Sequence, residues 1–477
     1  MLQLDIHKIG DEAKFSRFHG VPRTQNAAIR VPKVGPTLKR YVGVLSAVVV
    51  LTASVAHGQP AGVVAQYGSS IDSQIASNYA SVDALYKDIH ANPELAFQEV
   101  NTAKKLAKAL RDLGFEVTEG VGKTGVVGIF RNGAGRTVLV RTELDALPME
   151  EKTGLPYASK VKTIYDGKET PVAHSCGHDL HMAAWVGTAK TLIALKGEWK
   201  GTLMFVAQPA EEVTSGAKLM LQDGLFTRFP RPDVALALHD WPMAYGEIGL
   251  NSGPFTSNSD AVEITFKGRG AHGSAPDKSI DPIVVAARFI VDVQSVISRE
   301  KDPFQFGVFS VGSINGGTTG NIIPDTVELR GTIRSYEPAV RKKIADGIQR
   351  TAKAAAAMAG APEPEVKIAS GGDAVVNNAA LVERTEAVFK AAFDPGKVKR
   401  MPPITPSEDF SEYGSSGVPQ LFFLVGVYDP KDVEASRQPG GRPLPINHSP
   451  YFAPVPEPSI KTAVKAMSLA VLTALQS

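Results

Sequence analysis

Residues 202–212 read Thr202-Leu203-Met204-Phe205-Val206-Ala207-Gln208-Pro209-Ala210-Glu211-Glu212. The first part is apolar on successive residues rather than alternate ones, the pattern of a strand covered on both faces. It ends on a proline and two carboxylates. Three more runs of this kind, Val138–Val140, Val234–Leu238 and Leu421–Val425, occur with helical stretches between them. Such strands, separated by helices, predict an open, mostly parallel α/β sheet. Its binding crevice should lie beyond the carboxyl ends of the strands. Upstream, Ile71–Leu113 has helical apolar spacing, with Val100, Ala103, Leu106, Ala107 and Leu110 on one face and Gly114 as the stop signal.

The pattern changes near Pro254. Ala261–Phe266 alternates like a half-exposed strand, and Asp281–Ser298 reads as a helix. Phe304–Val311 and Thr326–Ser335 read as antiparallel strands, Pro338–Met358 as a second helix and Glu365–Ala369 as a last strand. The order β-α-β-β-α-β is that of a ferredoxin-like sandwich. The α/β pattern returns near Asn377. The sequence therefore predicts a leader over 1–59, a catalytic domain in two parts (60–254 and 373–477) and an α+β insert over 255–372.

Composition agrees with a folded, multidomain chain: 477 residues, 43% hydrophobic and 21% charged. One cysteine excludes an intramolecular disulfide framework and any multi-cysteine zinc or iron–sulfur site. Residues 1–59 hold eight Lys/Arg against three Asp/Glu, so the rest of the chain is mildly acidic despite a formal charge of +2. Nothing global points to nucleic acid. Lys39-Arg40 precede an apolar run from Tyr41 to Ala53, followed by Ser54-Val55-Ala56 and Ala56-His57-Gly58. A basic flank, a short apolar core and a small-x-small site predict a signal peptide, hence an exported (periplasmic or secreted) protein with no membrane segment after cleavage.

Three of the ten histidines fall within His174-Ser175-Cys176-Gly177-His178-Asp179-Leu180-His181, around the lone cysteine. Cys176 and His178, two apart with Gly177 between them, can aim at one ion of zinc-like softness, with manganese or cobalt as alternatives. At the strand end, Glu211-Glu212 can divide their work, one carboxylate on metal and the other facing water as a general base. The same placement recurs in His239-Asp240 after Val234–Leu238, in Asn447-His448 beyond Leu421–Val425, and in Arg141–Pro148 after Val138. A cysteine, three histidines and a glutamate suit two cations about 3.5–4 Å apart.

The ordered motifs His90–Glu99 (HANPELAFQE), Arg141–Pro148 (RTELDALP), His174–His181 (HSCGHDLH), Gln208–Glu212 (QPAEE), Gly270–Pro276 (GAHGSAP), Asn321–Asp325 (NIIPD), Ser407–Phe410 (SEDF) and Asn447–Pro450 (NHSP) resemble the metal-dependent aminoacylase/carboxypeptidase family. Within it they resemble the branch of hippurate hydrolases and plant indole-acetyl-amino-acid amidohydrolases. The resemblance runs from about residue 72 to the C-terminus. It implies that Cys176, His178, Glu212, His239 and His448 ligate two divalent metals and that Glu211 is the general base. It makes His272, in an inserted lid and dimerisation domain, an oxyanion-stabilising residue that reaches the partner's site in dimeric members. Asn321 and Arg334 would hold the substrate carboxylate, and Asp145 would support the ligands from behind. Glu143 stands where that branch commonly has Asp, so it is left out of the ligand set.

The expected reaction is hydrolysis of the amide of an N-acyl amino acid, with an aroyl group as one option, or of a C-terminal peptide bond. A dipeptidase acting on unacylated peptides is the alternative within enzymes. A catalytically silent periplasmic binding protein is the alternative outside them.

Overall fold

The computed structural model describes residues 60–476; the leader expected over 1–59 lies outside the described residues. In chain order come helices α1 (Pro60–Ala91) and α2 (Val100–Asp112), strands β1 (Glu116–Val121), β2 (Gly125–Asn132) and β3 (Thr137–Glu143), and helix α3 (His178–Ala194). Strands β4 (Gly201–Gln208), β5 (Val234–Ala244) and β6 (Ile248–Leu250) follow. Next come β7 (Asp260–Lys267), α4 (Pro282–Asp292), β8 (Gly307–Asn315), β9 (Thr326–Ser335), α5 (Pro338–Met358) and β10 (Glu365–Ser370). The chain finishes with α6 (Ala379–Ala392), β11 (Val398–Arg400), β12 (Gln420–Tyr428) and α7 (Pro456–Leu475).

Eight strands form one sheet in the order β1-β2-β4-β3-β5-β12-β6-β11. Its centre, β4-β3-β5-β12, is parallel throughout. The reason for the unbroken apolar runs is visible here. Leu203, Phe205 and Ala207 join the core under α1, α3 and α7, while Met204 and Val206 join a second core on the opposite face with Met220 and Phe410. Sequence patterning did not reveal the antiparallel edge strands β1 and β2 on one side, nor the short β6 and β11 on the other.

Two further expectations need correction. The helical stretch 71–113 is two helices, broken at Asn92-Pro93, because proline lacks an N–H and disfavours helical geometry in the residue before it. Strands β3 and β5 run past their apolar stretches, so Arg141–Glu143 and His239-Asp240 lie within strands and not beyond them.

The inserted elements form a separate four-stranded antiparallel sheet, ordered β8-β9-β7-β10, with α4 and α5 on one face. That is the ferredoxin-like order. Val262, Ile264 and Phe266 point into its core, while Ala261, Glu263 and Lys267 face outward. Asp281 caps α4 by accepting the Ile283 and Val284 N–H groups, and Pro282 takes the first helical position. The helix ends at Asp292, short of Ser298, and a separate turn spans Val296–Glu300. The strand expected over 304–311 is shifted to 307–315, leaving Phe304 97% exposed. Chain entry and exit pair with each other, Pro254 opposite Val376 and Gly253 opposite Asn377.

Candidate dinuclear metal site

At the end of β4 the chain turns sharply through residues 209–216. Ala210 and Thr214 both take positive φ (52° and 48°), a conformation that costs a residue with a Cβ about 1–3 kcal/mol. The turn persists because its N–H groups are caught. Glu99 Oε1 accepts from Ala210 (2.9 Å), and the two oxygens of Asp145 accept from Glu211 (3.1 Å) and Glu212 (2.9 Å). Asp145 follows β3, whose Glu143 lies opposite Gln208 of β4, so sheet register brings the carboxylate to the turn.

The Cys176-Gly177-His178 segment starts α3. Gly177 has φ 87°, and a Cβ there would overlap the Asp240 carboxylate, so only glycine fits. His178 Nδ1 donates to the Asp145 carbonyl (2.8 Å), which leaves Nε2 free to face Glu211 (3.8 Å) and Glu212 (3.9 Å). His239 Nδ1 donates to the Asp240 carbonyl (2.7 Å), and its Nε2 lies 3.5 Å from Cys176 Sγ. His448, at φ 69°, hangs from Ser175 by its N–H (2.7 Å) and brings Nε2 to 3.3 Å from Glu212. Asn447 beside it donates to the Cys176 carbonyl (3.0 Å) and to Asp240 Oδ1 (2.7 Å).

Donor atoms therefore gather in overlapping trios, Cys176/His178/His239, Cys176/Glu212/His448 and His178/Glu211/Glu212, each within 4.8 Å. His178 Nε2 and Glu212 Oε1 are buried without a hydrogen-bond partner. Buried polar atoms are rarely left so, and a thiol, imidazoles and a carboxylate are a donor set for a zinc-like cation. The residues fit the group the sequence implied. Burial, reinforced by the Glu212 charge, pushes the Cys176 thiol well up, so a cation is what would make it a thiolate. Burial, then the charges of Glu408 and Glu212, pushes Glu211 well above the usual carboxylate range. Glu212 goes the other way. Burial opposes its ionisation, but the His448 hydrogen bond and the charge of His178 outweigh it.

Cys176, Glu211, Glu212, His239 and His448 line a cavity of about 670 Å³ walled also by Trp241, Ile404 and Phe422. Arg334 reaches the same cavity from β9 of the insert. Its guanidinium donates to the Ile333 carbonyl (3.1 Å) and to Thr332, and has no ion-pair partner among the described residues. His272 and Asn321 do not line this cavity. They sit on a small exposed ribbon of the insert, where His272 Nδ1 accepts from Ser274 and the Asn321 carbonyl accepts from Gly273.

Residues 139–471 match Peptidase family M20/M25/M40. The chain belongs to that family. A hippurate hydrolase of Campylobacter jejuni is 39% identical over 327 residues, covering 68% of this chain and 82% of its own. An N-acetylcysteine deacetylase of Bacillus subtilis is 35% identical over 345 residues, covering 72% and 87%. A crystal structure from Bacillus subtilis, described as a dinuclear metal binding peptidase of the M20 family, matches with a TM-score of 0.68 at 28% identity, over 84% of this chain and 99% of that one. This M20 chain is a hydrolase.

The M20 site has a buried polar backing that motif reading left unassigned. Arg141, inaccessible to solvent, pairs with Glu143, Glu408 (2.7 Å) and Asp409 (3.0 Å). Glu143 accepts from His181 Nδ1 (3.0 Å), and His181 Nε2 in turn accepts the Asp240 N–H (2.8 Å). The His181 and His239 rings stand edge to face at 4.4 Å. Glu143, left out of the ligand set, thus reaches His239 only through His181. Asp240 sits immediately after a candidate ligand, and Glu99 ends the first quoted motif. Those were the available signals for both.

Proposed function

We propose that this M20 hydrolase holds two divalent cations (zinc or manganese, with cobalt an option) on Cys176, His178, Glu212, His239 and His448, and cleaves the amide of an N-acyl amino acid. The observation that carries the proposal is the convergence of those donors, two with orphaned buried atoms, beside one further carboxylate and across a cavity from an unpaired guanidinium. When bound, the cations would supply a water nucleophilic at neutral pH and positive charge against the developing oxyanion.

The chain's own groups do the rest. Arg334 holds the substrate carboxylate, because a half-buried guanidinium with no ion-pair contact among the described residues favours an anionic partner. Glu211 takes the proton of the attacking water at its carboxylate as the water oxygen bonds to the carbonyl carbon. It then delivers that proton to the nitrogen as the C–N bond breaks, releasing a free amino acid and a carboxylic acid. A carboxyl that passes from ionised to protonated and back serves both halves of that transfer. Asp145 fixes the Glu211-Glu212 backbone. His272 and Asn321, which lie away from the cavity of their own chain, would act only in a homodimer formed through the insert. Export rests on residues 39–58.

The test is a hydrolysis panel of N-acetyl and N-benzoyl amino acids against free-amine dipeptides, with metal-loaded and chelated protein. Turnover of the acylated compounds that chelation abolishes is expected. Preference for free amines would make the protein a dipeptidase, and metal binding without turnover would make it a binding protein. Arg334→Ala should raise KM for these acids about 10–100-fold, the worth of one charge-assisted contact, with kcat less affected. An unchanged KM would remove Arg334 from the carboxylate site.

A further inference from the structure

We propose that Glu99, outside the cavity and buried beneath it, is a positioning residue that holds the backbone of Ala210 in the conformation from which Glu211 reaches the substrate; the inference rests on Glu211 being the base. Three successive N–H groups, those of Ala210, Glu211 and Glu212, leave the end of β4 without a backbone carbonyl to receive them. Asp145 takes the second and third, Glu99 the first. The division matters because, of these three residues, Ala210 is the one with positive φ. Asp145 anchors the two residues after Ala210; the Ala210 carbonyl accepts from Ser215 (3.3 Å) and Gly216 (3.2 Å) within the turn, and its N–H is held by Glu99. Rotation at that residue would swing the Glu211 carboxylate relative to His178.

Glu99 is itself fixed. It is inaccessible to solvent, precedes the first turn of α2 and accepts the Thr124 hydroxyl (2.6 Å) from the turn between β1 and β2. Gly125, the first residue of β2, lies against Pro209: a Cβ there would come within 3.1 Å of the proline ring. The catalytic turn is thus pressed from below by a segment that touches neither metal ligands nor substrate. Burial, with the Asp145 charge nearby, raises the Glu99 carboxyl to about 7.

The experiment compares Glu99→Ala, Glu99→Gln, Ala210→Gly and the Glu99→Ala/Ala210→Gly double variant as metal-loaded full chains, reading kcat, KM and bound metal. Glu99→Ala should lower kcat about 10- to 100-fold, the usual cost of a small displacement of a reacting group, with KM and metal content kept. Glu99→Gln retains an acceptor oxygen and should keep most of kcat. Glycine adopts positive φ without strain, so Ala210→Gly should restore much of the kcat lost by Glu99→Ala. If Glu99→Ala fails to fold, Glu99→Leu fills the volume without an acceptor and carries the same expectations. Unchanged kcat in the acceptor-less variant, or no recovery in the double variant, overturns the proposal. Glu211→Gln separates the two failures. If it is active, the base is misassigned; if it is inactive while Glu99→Ala is unimpaired, only the positioning role falls.

Discussion

In the inserted sheet, Val262, Ile264 and Phe266 face α4 and α5, and the residues between them face outward. Local alternation and helix caps are enough to specify that unit. At the rim of the eight-stranded sheet, by contrast, Arg141, Glu143, His178, His181 and Asp240 are buried, and two non-glycine residues of one short turn have positive φ. Little there comes from local preference. The strained Ala210 is held by Glu99, and the buried Arg141 by Glu408 and Asp409, all far along the chain. The insert spends its sequence on stability and the rim on arrangement, so damage to each should show in a different measurement.

The largest effect expected is at the rim. Glu211→Ala should lower kcat by about 10²–10⁴-fold, the contribution of a general acid–base group, while metal content and Tm stay near wild type. A matching fall in Tm would mean that the rim also carries fold stability. The insert should respond in the opposite way. Phe289, buried between Phe266 and Phe309, should cost about 3–5 kcal/mol of stability when cut to alanine, with kcat nearly unchanged below the melting range. Loss of activity ahead of unfolding would break the distinction.

The smallest effect lies where a host helix meets the rim. His90 of α1 donates to Asp179 (2.6 Å) in the first turn of α3 and to Glu151 (3.1 Å). Burial alone would lower its pKa, but the two carboxylates outweigh it and raise the imidazole to about 10. The stability this supplies is complete below about pH 6.5, the value of an unfolded histidine, and is lost as pH rises through about 10. The Tm advantage of wild type over His90→Gln should therefore shrink between pH 7 and pH 10. A constant difference would show that His90 contributes by packing alone.

The same contrast between insert and rim explains how far each was legible in the sequence. Strand β9 and helix α5 begin and end where patterning placed them, because alternation, Pro338 and the apolar stripe are local signals. Strands β3 and β5 were read as too short because their apolar character stops at Arg141 and His239 while the sheet continues. The candidate ligands were legible as residue types at strand ends. Glu99, Asp240 and His181 were not, since their roles depend on backbone groups and rings that only folding brings near. The break at Pro93 could have been read, and helical periodicity on both sides hid it.

The insert leaves and rejoins the main sheet through a paired neck, Gly253-Pro254 against Val376-Asn377. A chain that departs and comes home on adjacent rungs asks nothing of its host except that the two rungs stay together. All five candidate ligands and Glu211 belong to the host, whereas Arg334 belongs to the visitor. If Arg334 holds the substrate acid as proposed, exchange of the visitor would retune which acids are gripped without disturbing the groups proposed to cut them, so appetite and chemistry would be free to evolve apart.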